Sequence, residues 1–221
     1  MENSKIIILI PSHNELKTLK KICIYIKKNN FKFLIIDDSS QDGTSRWLKK
    51  NKFNYLRNKT QMGYERSIIR GIKKIVKKKN IKYLITFDAD GEHQTKDIKR
   101  IIKFIKDEKI SLLICNRDKL NRLTEYLISF LFFKKFEIKD PLSGFRAYSI
   151  RELRHLSNNI KNNEFLIDLV LSFKKKKLNI KNMPIQTKRR LGKPRVGNIL
   201  FVNSKILKLI KYIFPLQKHV Y

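Results

Sequence analysis

The sequence predicts an α/β fold, a single mainly parallel central sheet flanked by helices. Three observations carry that expectation. Apolar runs of strand length, at residues 6–10, 33–36, 83–87 and 111–115, alternate with stretches of helix length. The runs are continuously apolar, as strands covered on both faces are. Two of them end in acids, Asp37-Asp38 and Asp88-Ala89-Asp90. Ligands of open α/β sheets gather beyond the carboxyl ends of strands, so these acids mark one side of the sheet as a site.

In chain order, Ile6-Ile7-Ile8-Leu9-Ile10 is a strand ended by Pro11. Ser12-His13-Asn14-Glu15 leads into a helix, Leu16–Lys28, with Leu16, Leu19, Ile22, Cys23 and Ile26 on one stripe. Phe33-Leu34-Ile35-Ile36 repeats the unit and gives way to Asp37-Asp38-Ser39-Ser40-Gln41-Asp42-Gly43-Thr44, a turn and a helix start. Residues 53–56 form a weaker strand, and residues 58–64 enter a helix through Ser67, Ile68, Gly71, Ile72, Ile75 and Val76. A strand at residues 83–87, a helix Lys96–Asp107 and a fifth strand at 111–115 follow. Such regular alternation calls for right-handed crossovers and parallel pairing. No G-x-G-x-x-G turn and no Walker loop is present, which argues against a dinucleotide enzyme or a P-loop nucleotidase.

Asp88-Ala89-Asp90-Gly91-Glu92 is the most informative stretch. Carboxylates at the mouth of an apolar strand need compensation, and a divalent cation provides it. Successive strand side chains point to opposite faces, so Asp88 and Asp90, two apart, point the same way and can share one metal or metal-bound diphosphate, with Glu92 close enough to be a third ligand. Hard oxygens suit Mg²⁺ or Mn²⁺ better than zinc. The competing reading makes Asp90-Gly91 an ordinary turn and Asp88 a helix cap.

Fifty-one Lys and Arg against 19 Asp and Glu give a net charge of +32. This favours anionic partners: nucleic acid, phospholipid headgroups or phosphorylated substrates. A basic nucleic-acid-binding protein would account for the charge but leaves the acidic strand ends without a role and lacks a recognised binding motif; no nucleic acid is expected. Cys23 and Cys115 lie in apolar surroundings without metal spacing and read as reduced core residues. The chain enters its first strand almost at once, so no signal peptide is expected. No apolar run approaches the ~20 residues that span a bilayer.

Beyond Cys115 the alternation stops. Residues 127–133, rich in aromatics and followed by Lys134-Lys135, suit a core helix or one lying on a membrane surface. Asp140-Pro141-Leu142-Ser143-Gly144-Phe145-Arg146-Ala147-Tyr148 reads as a functional loop. Residues 188–197 form a glycine-bearing basic loop, a lid over a diphosphate or a charged linker. Residues 198–221 form an amphipathic helical tail in which Ile199, Leu200, Phe201, Ile206, Leu209 and Ile213 interleave with Lys205, Lys208 and Lys211.

Taken together, Pro11 with Asn14-Glu15, the 37–44 motif, Asn58 with Gly63-Tyr64, the 88–93 motif and the 140–146 motif resemble family 2 glycosyltransferases of the GT-A fold. The similarity is greatest to the polyprenyl-phosphate (dolichol-phosphate) sugar transferase branch. It covers roughly residues 6–197 and implies one GT-A domain over 1–197, with a nucleotide-sugar half at about 1–116 and an acceptor half at about 117–197. It implies that Pro11, Asn14, Glu15, Asp37, Asp38, Gly63, Ala89 and Arg189 help hold a nucleotide-sugar, with Asp37 or Asp38 accepting a ring N–H of the base. Asp88 and Asp90 would hold Mg²⁺ or Mn²⁺; Glu92 stands where the branch often has Gln. Arg117 and Arg122 would take an acceptor lipid phosphate, with Ser143 and Arg146 as further candidates. The resemblance implies an inverting, metal-dependent hexose transfer to polyprenyl phosphate by a peripheral protein at the cytoplasmic face of an anionic membrane, with an integral-membrane partner possible. A family 2 enzyme acting on a hydroxyl of a cell-surface glycan is the alternative.

Overall fold

The structure, a computed structural model, describes residues 3–107, 109–120, 122–157 and 165–188. Arg189, most of the basic loop and the tail at 198–221 lie outside the described residues. The elements run β1 (Ile6–Ser12), α1 (Leu16–Lys28), β2 (Lys32–Asp37), α2 (Thr44–Lys50), β3 (Tyr55–Arg57), α3 (Tyr64–Ile75) and β4 (Tyr83–Thr86). Then come α4 (Lys96–Asp107), β5 (Leu112–Arg117), α5 (Leu123–Phe136), β6 (Arg146–Ser149), α6 (Ile150–Ser157), α7 (Phe165–Lys175) and β7 (Ile180–Ile185). They form one seven-stranded sheet in the order β3-β2-β1-β4-β6-β5-β7.

All pairings are parallel except those of β6, which runs antiparallel to β4 on one side and β5 on the other. Successive strand side chains face opposite ways, and β1 shows what this does for the core. Ile6, Ile8 and Ile10 meet Leu19, Ile22 and Ile26 of α1 and Ile98 and Ile101 of α4 in one apolar cluster. Ile7 and Leu9 join the opposite cluster with Ile68, Ile72 and Ile75 of α3. Both faces of the sheet are therefore covered, as the unbroken apolar runs require. Cys23 and Cys115 are buried and free.

Three expectations need correction. β1 does not stop at Pro11 but continues to Ser12, with Pro11 opposite Ile36 of β2. The Leu9 carbonyl accepts from the Phe87 amide toward β4. Pro11, two residues on, faces the same side past the end of β4, where its missing N–H breaks no ladder bond. β4 is shorter than expected and ends at Thr86, so Asp88 and Asp90 lie beyond the sheet, where strand alternation no longer aligns them. Finally, the segment read as a loop at 140–148 ends in β6, wedged into the middle of the sheet. Residue 116, about where the resemblance divides the chain, lies inside β5.

Candidate active site

The acidic turn after β4 is held from several sides. The Phe87 amide donates to the Leu9 carbonyl at 3.0 Å, and Thr18 Oγ1 of α1 donates to the Ala89 carbonyl at 2.5 Å. Gly91 turns the chain with φ at +83°, a region that favours glycine. Asp90 Oδ1 accepts from the Glu92 amide at 3.0 Å, an Asx-type closure of the turn.

Asp88 is oriented through both oxygens. The Tyr64 hydroxyl, at the start of α3, donates to Oδ1 at 2.7 Å, while His93 Nε2 lies 3.4 Å from Oδ2. His93 is buried beside Phe145 and Phe87, with ring centroids 5.0 and 6.1 Å away. Burial pulls the His93 pKa down, but its hydrogen bond to Asp88 and the charges of Asp88, Asp90 and Glu92 outweigh this and raise it. Burial and the Asp88 charge push the Tyr64 hydroxyl well above its ordinary value. Burial raises the Glu92 carboxyl, with Asp90 and Asp88 adding to the rise and Arg117 and His93 opposing it.

Gly144 closes the other side of Asp88. A Cβ there would stand 2.5 Å from Asp88 Oδ2 and 3.0 Å from Oδ1, and in contact with the Tyr64 hydroxyl. Gly144→Ala is therefore expected to displace the Asp88 carboxylate. We predict a drop in turnover of roughly 10²-fold, the scale of a misplacement near 1 Å, with a nearly unchanged circular dichroism spectrum; a variant as active as the parent would refute the close approach.

The loops after β1 and β2 clamp each other. Asn14, in a left-handed conformation with φ at +54°, accepts the Gln41 amide on Oδ1 at 2.7 Å, and its own amide donates to Ser40 Oγ at 3.0 Å. Asp42 accepts the Leu16 amide at 2.8 Å and the Thr44 amide at 3.1 Å, so one carboxylate caps both α1 and α2. Glu15, half-buried, precedes α1 and makes no side-chain cap of its own.

Asp37 and Asp38, expected to meet a base, are engaged first with the chain itself. Asp38 is 4% exposed and accepts from Asn58 Nδ2 at 2.6 Å and from the Met62 and Gly63 amides at 2.8 Å each. Burial alone would raise its pKa; these hydrogen bonds, with one from Ser67, outweigh burial and lower it. Asp37 is fully buried, accepting from the Ser40 amide at 3.0 Å and the Ser45 hydroxyl, with Arg57 at 3.6 Å. The pair fixes the positions of Gly63 and Ser40, while Asn14 and Glu15 stand on the more open rim.

The arginines expected to face an acceptor phosphate are largely placed otherwise. Arg146 is fully buried, donating to the Ser143 carbonyl at 2.8 Å, the Pro141 carbonyl at 2.6 Å and the Tyr148 hydroxyl at 3.3 Å. It braces the 140–146 turn from inside the core. Ser143 is also buried, and its hydroxyl accepts the Phe145 amide at 3.3 Å. Arg117 binds Asp140 through Nε at 2.8 Å and Nη2 at 3.1 Å, with Glu125 at 3.3 Å. Burial opposes its charge, but Asp140 and Glu125 more than restore it and raise its pKa. Arg122 sits half-buried immediately before α5, its carbonyl accepting the Glu125 amide at 3.0 Å.

Among the described residues, no three His, Cys, Asp or Glu side chains converge where a metal would sit, so Asp88, Asp90 and Glu92 do not stand gathered as a ready three-carboxylate site. The donor set still fits a hard divalent cation. Mg²⁺ is usually held by one or two carboxylates, with water and substrate phosphates supplying the rest. Asp88 and Asp90 offer such carboxylates, and the bare Cα of Gly144 leaves the space beside Asp88 without a side chain. His93, Tyr64 and Gly144 were not assigned site roles from sequence. Each lies within or next to a motif quoted above, and the signal for His93 was its position directly after the acids.

A sequence profile of Glycosyl transferase family 2 matches residues 7–145, more than half of the chain. The chain belongs to glycosyl transferase family 2. A UDP-N-acetylglucosamine--dolichyl-phosphate N-acetylglucosaminyltransferase of Methanococcus voltae is 28% identical over 220 residues, covering 85% of this chain and 87% of that one. An uncharacterized protein of Methanocaldococcus jannaschii is 27% identical over 202 residues, covering 85% and 83%. Glucosyl-3-phosphoglycerate synthase of Mycobacterium tuberculosis, crystallised with Mn²⁺, UDP and phosphoglyceric acid, superposes with a TM-score of 0.74 at 15% identity, covering 95% of this chain and 78% of that one. The shared fold is thus that of the GT-A glycosyltransferases, and this family 2 glycosyltransferase places the turn at residues 88–92 beyond the carboxyl end of its central β4.

Proposed function

We propose that this glycosyltransferase moves a hexose or N-acetylhexosamine from a nucleotide-sugar to a polyprenyl phosphate, inverting the anomeric centre, at the cytoplasmic face of a membrane. The observation that carries the choice of acceptor is the likeness, across 85% of the chain, to an enzyme named for transfer to dolichyl phosphate. The chemistry agrees with it. A phosphate monoester has a second pKa of about 6 and is already an oxyanion near neutral pH, so it attacks without a general base. A departing nucleoside diphosphate needs its growing charge neutralised.

Asp88 and Asp90 would hold Mg²⁺ or Mn²⁺, which when bound supplies Lewis acidity toward the diphosphate. Tyr64 and His93 keep the Asp88 carboxylate in one orientation. Pro11, Asn14, Glu15, Gly63 and Ala89, braced by Asp37 and Asp38, form the nucleotide side. Arg122 is the arginine we assign to the acceptor phosphate, with Arg117 holding Asp140 and thereby the 140–146 turn in place. Arg189, assigned to the donor by the resemblance, lies outside the described residues.

The test is a thermal-shift screen of GDP- and UDP-sugars with and without Mn²⁺, followed by transfer assays with polyprenyl phosphate. A bound donor raises the melting temperature with the logarithm of its concentration over Kd. We expect metal-dependent stabilisation by one nucleotide-sugar, an acid-labile lipid-linked product, and loss of transfer in EDTA that Mn²⁺ restores. Transfer unaffected by EDTA would remove the metal, and absence of stabilisation by every nucleotide-sugar would remove the donor.

A second reading keeps fold and donor but transfers to a hydroxyl of a cell-surface glycan. Glu92, half-buried directly after the acidic turn, favours it, because a hydroxyl acceptor needs a general base. Product formed only on an oligosaccharide would select this reading.

A further inference from the structure

Helix α5 is apolar on two faces, yet among the described residues only one of them is covered. Ile128 and Phe132 are buried in the core. Leu123, Tyr126, Leu127, Phe130 and Phe133 are 87%, 52%, 51%, 57% and 46% exposed. At 3.6 residues per turn these five fall within an arc of about 120°, so they form one continuous stripe. Five of the seven large apolar side chains that stand exposed among the described residues therefore share a single helix face. A contiguous exposed patch of this kind marks an interaction surface, whereas scattered apolar residues do not.

We propose that this stripe is a docking face for an anionic lipid bilayer, on which α5 lies flat. The charge pattern selects that occupant. Lys134 falls on the same arc, with its ammonium 5.8 Å from the Phe130 ring centroid, and exposed Lys135 follows it. Exposed Lys119 precedes the helix, and the chain as a whole carries +32. Lysines can lay their stems on the apolar stripe and reach anionic headgroups with their amines, while Tyr126 suits the interfacial zone. With 14 residues, α5 is about 21 Å long, short of the ~30 Å hydrocarbon core. None of the described helices is long and apolar enough to cross a membrane. Contact along the surface, not insertion across it, follows.

The stripe starts at Leu123, directly after Arg122. Docking would bring the acceptor side of the site down to the headgroup layer. Only this last step rests on the function proposed above; the binding itself is measurable without any sugar.

The full-length chain is incubated with vesicles of phosphatidylcholine alone or with 30% phosphatidylglycerol, and sedimented. We expect preferential capture by the anionic vesicles, weakened by salt, and at least a tenfold loss of partitioning in Leu127→Glu/Phe130→Glu at an unchanged circular dichroism spectrum. In a second arm Leu127→Cys is labelled with a maleimide, the two native cysteines being buried. Rapid labelling in solution and protection on adding anionic vesicles is the expected result. Undiminished vesicle binding by the double Glu variant, or no binding by the parent, overturns the proposal. So does slow labelling without vesicles. If slow at every protein concentration, it assigns the stripe to residues 189–221 of the same chain; if slow only at high concentration, it assigns the stripe to a second copy.

Discussion

Asp88→Ala and Asp90→Ala are each expected to lower sugar transfer by about 10³-fold or more, equivalent to roughly 4 kcal/mol of transition-state stabilisation. The two should differ in cause. Loss of Asp88 also strands the Tyr64 hydroxyl and His93, which lie 2.7 and 3.4 Å from its oxygens. Asp90 closes its own turn through the Glu92 amide, and its loss also loosens that turn. Tyr64→Phe and His93→Gln should therefore move turnover in the same direction as Asp88→Ala by a smaller factor, because they orient the carboxylate without replacing it. Steady-state rates at saturating Mn²⁺ and donor provide the measurement. An Asp88→Ala enzyme within tenfold of the parent would remove this acid from the chemistry.

Asp140→Ala should cause the largest loss of stability, about 3 kcal/mol. Asp140 is 2% exposed and receives the Arg117 amide at 3.2 Å as well as two bonds from its guanidinium. Removing one partner of a buried pair leaves the other charge desolvated, which costs about 3–5 kcal/mol; Glu125, 3.3 Å from Arg117, keeps the cost at the lower end. Replacing both members, as Arg117→Met/Asp140→Leu, should recover much of the loss, since apolar packing substitutes well for a buried ion pair. Urea denaturation of the parent, Asp140→Ala and the double variant decides the matter. A double variant no more stable than Asp140→Ala would mean that the pair acts through something other than its buried charge.

Much of the fold was legible because strands and helices of the first half write their periods plainly. The unbroken apolar runs placed β1, β2 and β4, and the stripe of Leu19, Ile22 and Ile26 fixed α1 at Leu16–Lys28. β6 was illegible for a physical reason. Arg146-Ala147-Tyr148-Ser149 has only two apolar members, and the arginine is satisfied by carbonyls contributed by its own preceding turn, a compensation that sequence spacing does not display.

The site was readable to a similar depth. The acids beyond β4 announced themselves, but their orientation did not, because the strand ends two residues before Asp88. The resemblance pointed Arg117 toward a phosphate, but its pairing with Asp140, 23 residues away, could not be read from spacing, because pairing at that distance is set by tertiary structure alone. Gly144 carried no chemical signal of its own; its importance lies in the room it leaves for Asp88 Oδ2.

The position of β6 has a consequence for how this protein can be divided. The strand is contributed by the later part of the chain yet hydrogen-bonds to β4, directly below the acidic turn. A fragment stopping at residue 116 would leave β4 with an unsatisfied ladder along one side, a template for cross-strand aggregation. The portions before and after residue 116 are thus not separable modules. Neither could be exchanged by gene fusion without carrying the other's strand along.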